Sequence, residues 1–144
     1  GPLRGAQPEP ALSAVAAAIQ PGGQLMMVET VADTPLDATD PTVARWALLE
    51  GRDPLVVSTE VMITRVLGRL GFDVRIVEDI SRRHIEQALL GWRTQAREMA
   101  DFKPDKRQAA LIVGEAELWM VRMRLFRTER LRLVRWHSIG RGSA

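Results

Sequence analysis

Between residues 11 and 29 an apolar helical stripe runs into Pro21-Gly22-Gly23 and then into Gln24-Leu25-Met26-Met27-Val28-Glu29. That last run constrains the fold more than any other segment. It is too short to span a membrane and too continuously apolar for a strand with one wet face, so it fits a strand covered on both sides, as in the middle of an α/β sheet. The stripe before it, Leu12, Val15, Ala16 and Ile19, has helical spacing behind Pro8-Glu9-Pro10, where prolines suit a first helical turn. Between helix and strand the chain must stop and reverse. Pro21 removes a backbone donor, and the glycines admit positive φ.

The remaining segments extend the same alternation. Thr30 to Asp40 is polar and reads as a loop leaving the strand. Asp40-Pro41 opens a short helix through Arg45, Trp46 and Glu50, with the aspartate as N-cap. Gly51 to Pro54 is a turn. Ser58-Thr59-Glu60 caps a helix with Met62, Ile63, Val66, Leu67 and Leu70 on one face, and Gly71 supplies its left-handed stop. A second strand is predicted over 72–78, then a helix capped by Ser81, a helix opened by Pro104, and a last strand over 131–139. The predicted order is helix, strand, two helices, strand, two helices, strand.

Composition excludes several alternatives. The 144 residues contain no cysteine, which removes disulfide scaffolds, thiolate zinc sites and a cysteine nucleophile. With only two histidines, His84 and His137, no multi-histidine metal site can form, and no metal ligand is assigned. No apolar run approaches the roughly 20 residues of a membrane helix, and the apolar helix near the start lacks a basic leader, so a cytoplasmic protein without a membrane partner is expected. The net charge of +2 hides a bipolar distribution. Seven acids lie between Glu29 and Glu60 against Arg45 and Arg52, and seven arginines lie between Arg122 and Arg141 against Glu129. An Arg-rich end admits nucleic-acid binding. Lysine is nearly absent and no aromatic side chains are clearly interleaved for base stacking, so a solvated helix face with arginines pairing to the acidic first half is the favoured account.

Two segments together resemble the C-terminal half of class I S-adenosylmethionine-dependent methyltransferases. Leu12 to Glu29, with its Pro21-Gly22-Gly23 turn, is similar to the helix and fifth strand of that family, and Ser58 to Val74, with Gly71-Phe72-Asp73-Val74, to the entry into its sixth strand. The resemblance implies an α/β, truncated Rossmann-like fold of three strands. The fifth and sixth would be parallel and the last antiparallel between them, in the order 5-7-6, with helices on both faces. The family holds S-adenosylmethionine on a glycine-rich loop after its first strand and an acid after its second. Neither occurs here, since Pro21-Gly22-Gly23 precedes a strand. No cofactor-binding residue is therefore assigned, and no cofactor is expected to bind this chain alone. Gly1-Pro2 looks like a tag-cleavage remnant, which sets residues 1–3 apart and leaves 4–144 as a single, substrate-side domain.

In the family the loop after the fifth strand lines the acceptor pocket. Carried onto this sequence, that implicates Glu29 as a candidate base and Asp33, Arg45, Trp46 and Glu50 as substrate-binding residues. Two of them have a plainer role open to them: Glu29 as an acid satisfied at a strand end, Trp46 as core. His84, beside Arg82 and Arg83, is either a grip for an anionic substrate or a solvated helix start. The resulting expectation is part of a small-molecule methyltransferase that is inactive alone. Its apolar strand 25–28 would be an exposed edge for the missing N-terminal half or for a second copy in a dimer. A stand-alone interaction or regulatory module using that edge, and an Arg-rich nucleic-acid-binding domain, are the alternatives.

Overall fold

The computed structural model describes residues 8–141, so the tag remnant expected at residues 1–3 lies outside the described residues. The elements are α1 (Pro8–Ala18), β1 (Gln24–Val31), α2 (Pro41–Glu50), a single 3-10 turn (Pro54–Val56), α3 (Glu60–Arg69), β2 (Phe72–Asp79), α4 (Ser81–Glu98), α5 (Lys106–Arg127) and β3 (Arg132–Gly140). Local chemistry accounts for most boundaries. The Asp40 side chain accepts from the N–H groups of Thr42 and Val43, and Thr59 accepts from Met62. Two helix starts differ from expectation. Ser81 does not cap α4; its hydroxyl instead accepts the Leu133 N–H at 2.8 Å, tying the helix to β3. At α5 the cap is Asp105, in a reciprocal capping box with Gln108, one residue after Pro104.

The sheet order is β1-β3-β2. Both ladders are antiparallel, from Gln24↔Ile139 to Val31↔Arg132 on one side of β3 and from Phe72↔Gly140 to Asp79↔Val134 on the other. The expected parallel component is thereby corrected: β3 enters between β1 and β2, and among the described residues both ladders are antiparallel and no parallel ladder exists. The glycine turn before β1 is fastened to the end of β3. Gly22 (φ 79°) donates to the Gly140 carbonyl, and Gly140 donates back to that of Gly23. A Cβ on Gly23 would sit 2.8 Å from the Gln20 carbonyl oxygen, so both glycines are required.

Helices cover both faces. With side chains alternating along the strands, Met27, Val31, Val134 and Trp136 share one face and pack with Leu12 of α1 and Ile63, Val66 and Leu67 of α3. On the opposite face Leu133 packs with Val43 and Trp46 of α2 and Leu125 and Phe126 of α5. Beyond that core the α4–α5 hairpin carries exposed apolar side chains, Leu90 and Leu111 among them. Among the described residues β1 and β2 each pair with β3 alone, which leaves one edge of each without a strand partner there.

Candidate functional site

In open α/β sheets ligands bind beyond the carboxyl ends of the strands. Here that end is formed by the last residues of β1 and β2, the first of β3, the loop 32–40 and the start of α3. Glu29 occupies it but is fully buried. Its Oε1 accepts the Thr30 N–H at 3.1 Å and the Arg52 Nη2 at 3.1 Å. Arg52, also buried, is delivered by the turn at Gly51, whose left-handed φ of 66° ends α2, and its guanidinium lies 5.9 Å from the centroid of the Trp46 ring. Trp46 itself has no exposed surface.

Beside this buried pair lies a more open network. Arg132 at the start of β3 meets Asp33 at 2.6 Å, Asp79 at 3.4 Å and Glu60 at 3.5 Å, joining the loop after β1, the end of β2 and the first turn of α3. Burial works against the Arg132 charge, but the hydrogen bonds and fields of these acids outweigh it and raise its pKa above the ordinary value. Asp79 is likewise partly desolvated, yet hydrogen bonds from Ser81 and Arg132 hold its carboxyl below the usual range. Next to Asp33 a cleft of about 210 Å³ opens between loop 32–40 and the 3-10 turn, with Pro35, Leu36, Pro54, Leu55 and Val57 in its wall. A larger cleft, about 520 Å³ beside Leu70, Gly71 and Gly140, sits at the opposite end of the sheet.

The residues singled out from sequence do not converge on one point. Glu29 and Trp46 meet through Arg52. Asp33 stands in the Arg132 network, and Arg45 is paired with Glu117 of α5. Glu50 lies 3.5 Å from Arg122, which stacks 5.1 Å from the Trp119 ring. His84 is no solvated helix start: its ring is held 5.6 Å from both Trp119 and Phe126. Burial and then the positive field of Arg122 push its pKa below 6.5, a setting that disfavours an anion grip by a charged imidazole. Sequence reasoning missed Arg52 and Arg132 as organisers of this end. The acidic first half facing an Arg-rich end was the signal for Arg132; for Arg52, which lies within the acidic half, there was none.

Among the described residues no group of histidine and acidic side chains is placed to hold a metal ion. The positive-φ glycines are Gly22, Gly51 and Gly71, which lead into β1, end α2 and lead into β2. None follows a strand and opens a helix, so the described residues do not provide the phosphate-loop-like cradle through which a class I methyltransferase holds its cofactor, and no chemical step is assigned through that group.

No protein-family profile and no curated protein sequence matches the chain. Its fold is matched by solved structures of S-adenosylmethionine-dependent methyltransferases. Phosphoethanolamine N-methyltransferase 2 of Haemonchus contortus, in complex with phosphomonomethylethanolamine and S-adenosylhomocysteine, is similar over 93% of this chain at 13% identity and a TM-score of 0.69. A mycolic acid cyclopropane synthase complexed with S-adenosylhomocysteine is similar over 91% at 13% identity and a TM-score of 0.62. Geranyl diphosphate C-methyltransferase of Streptomyces coelicolor is similar over 90% at 8% identity and a TM-score of 0.56. The chain spans 30%, 49% and 41% of those three chains respectively. At such identities the likeness establishes the shared α/β fold.

Proposed function

We propose that the chain is the acceptor-side portion of an S-adenosylmethionine-dependent methyltransferase acting on a small molecule. The supporting observation is the β1-β3-β2 sheet with one edge of β1 open, in a fold that matches methyltransferases over nearly its whole length but covers less than half of theirs. In this reading the open edge of Gln24–Val31 receives a strand of the cofactor-binding half, and the chain alone transfers no methyl group. The cofactor supplies an electrophilic methyl; the part left to this chain is to align the acceptor and shield it from water. Asp33 and the cleft beside it face the acceptor. Glu29 serves as counter-charge to Arg52 and fixes the exit of β1 against the end of α2, a positioning role in place of the proton transfer considered for it from sequence. Arg45 and Glu50 fasten α2 to α5, and His84 fastens α4 to α5.

The natural reading frame upstream of Leu3 tests the proposal. A strand followed by a glycine-rich turn and a helix is expected there, and the chain extended to include it should bind S-adenosylmethionine in a calorimetric titration. A stop codon or unrelated sequence would overturn the methyltransferase reading. It would favour instead an interaction module that uses the open edge by strand addition. For the nucleic-acid alternative, of the arginines between 122 and 141, Arg122, Arg130, Arg132 and Arg135 pair with Glu50, Asp40, Asp33 and Glu78.

A further inference from the structure

The acceptor cleft also constrains what can enter it, an inference that rests on the reading just proposed. Its wall is apolar apart from Asp33 and Thr59, and Leu55 is 81% exposed at the rim. No lysine or arginine lines it. The guanidinium paired with Asp33, that of Arg132, is shared with Glu60 and Asp79, so within that network one positive charge stands against three negative ones. Asp53, which caps the 3-10 turn, adds to that sign. A phosphate or carboxylate entering here would meet no lysine or arginine in the cleft wall and would face the Asp33 carboxylate. An ammonium group would be attracted by the same field while its hydrocarbon body covered Leu36, Leu55 and Val57. About 210 Å³ is smaller than a complete ligand site and matches a compact group or the end of a longer molecule.

We infer that the cleft takes an apolar amine, protonated on binding, and rejects phosphate esters and carboxylates. Charge complementarity selects the head group and the prolines, leucines and valine select the body. Asp33 is the specificity-determining residue, within reach of the ligand and held in place by Arg132.

Methyl-resolved NMR of the 144-residue chain with three probes of one shape tests this: cyclohexylmethylamine, cyclohexylmethanol and cyclohexanecarboxylate. The amine should shift Leu36, Leu55 and Val57 methyls in a saturable way, about tenfold more tightly than the alcohol, and the carboxylate should leave them unmoved. Asp33→Asn should bring the amine down to the alcohol's affinity. Because that variant also loosens Arg132, a second measurement uses the unaltered chain: added salt should weaken the amine and leave the alcohol unchanged. The inference is overturned if the carboxylate binds as tightly as the amine, if amine and alcohol are equal, or if none of the three shifts those methyls. These outcomes are independent of the upstream reading frame, so failure here and failure of the methyltransferase reading are told apart.

Discussion

The two buried tryptophans lie on opposite sides of the sheet and are treated differently by it. Trp136, on the α1–α3 side, has no exposed surface and donates its indole N–H to the Thr64 hydroxyl at 2.9 Å. Trp46, on the α2–α5 side, is equally buried, yet its Nε1 has no hydrogen-bond partner among the described residues. The Nε of Arg52 and the Nε2 of His84 share that condition, whereas on the Trp136 side only the Ser138 hydroxyl does. One side is an apolar core whose buried polar atoms, the Ser138 hydroxyl apart, are satisfied. The other trades some satisfaction for charge: the Arg122 stack, the half-buried imidazole, and Arg52, which lies beside Trp46 and reaches Glu29, a residue that strand alternation places on the Trp136 face. Unmet buried donors cost free energy, so the α2–α5 side should be the softer of the two.

The largest test of that contrast is Arg52→Met. It removes a guanidinium from beside a fully buried carboxylate and should cost on the order of 3 kcal/mol in urea denaturation, with Glu29→Gln/Arg52→Met recovering part of the loss. A double variant as unstable as the single one would show that the pair is not the unit described. On the Trp136 side, Thr64→Val leaves the indole N–H without its acceptor and should cost about 1–3 kcal/mol. Trp46→Phe has no such bond to lose and removes an unmet donor, so it should cost less than the lost ring volume implies, read in the same denaturation assay. The smallest effect concerns acid. With its folded pKa depressed below 6.5, His84 contributes stability that is present above that value and is lost as pH falls toward the folded pKa, because the unfolded chain takes up the proton first. Thermal melts between about pH 7 and pH 5 should therefore slope less for His84→Phe than for the parent chain. Parallel slopes would remove His84 from the account.

How far the sequence could be read follows from which forces left a pattern. Strands β1 and β2 and helix α3 were legible because their apolar residues recur with the period of the element and are bounded by Gly22, Gly71 or Thr59, and α2 because Asp40 and Gly51 mark its ends. The central position of the last strand came through the family resemblance, since no local signal in 132–140 says which strands it will join. Ladder direction was misjudged for the same reason: hydrogen-bond partners are set by insertion, which periodicity does not encode. Charge asymmetry announced that arginines near the end would meet acids near the start, and Arg130–Asp40 and Arg132–Asp33 do so. It did not say which arginine would be buried. Arg52 lies in an acidic stretch and looks solvated until the left-handed turn at Gly51 carries it inward. His84 was misread because flanking Arg82 and Arg83, both exposed, mask the one position of that turn that faces Trp119 and Phe126.

The place of β3 between β1 and β2 governs how the chain can fold in time. Both of its neighbours are complete well before it in the chain, and among the described residues neither has a strand to pair with until 132–140 arrives. The edges of both that β3 will occupy, that of the apolar 25–28 run among them, stay unpaired while α4 and α5 are still emerging. Sheet formation then becomes a late event dominated by contacts between distant parts of the chain, the condition that slows folding and gives aggregation its opening.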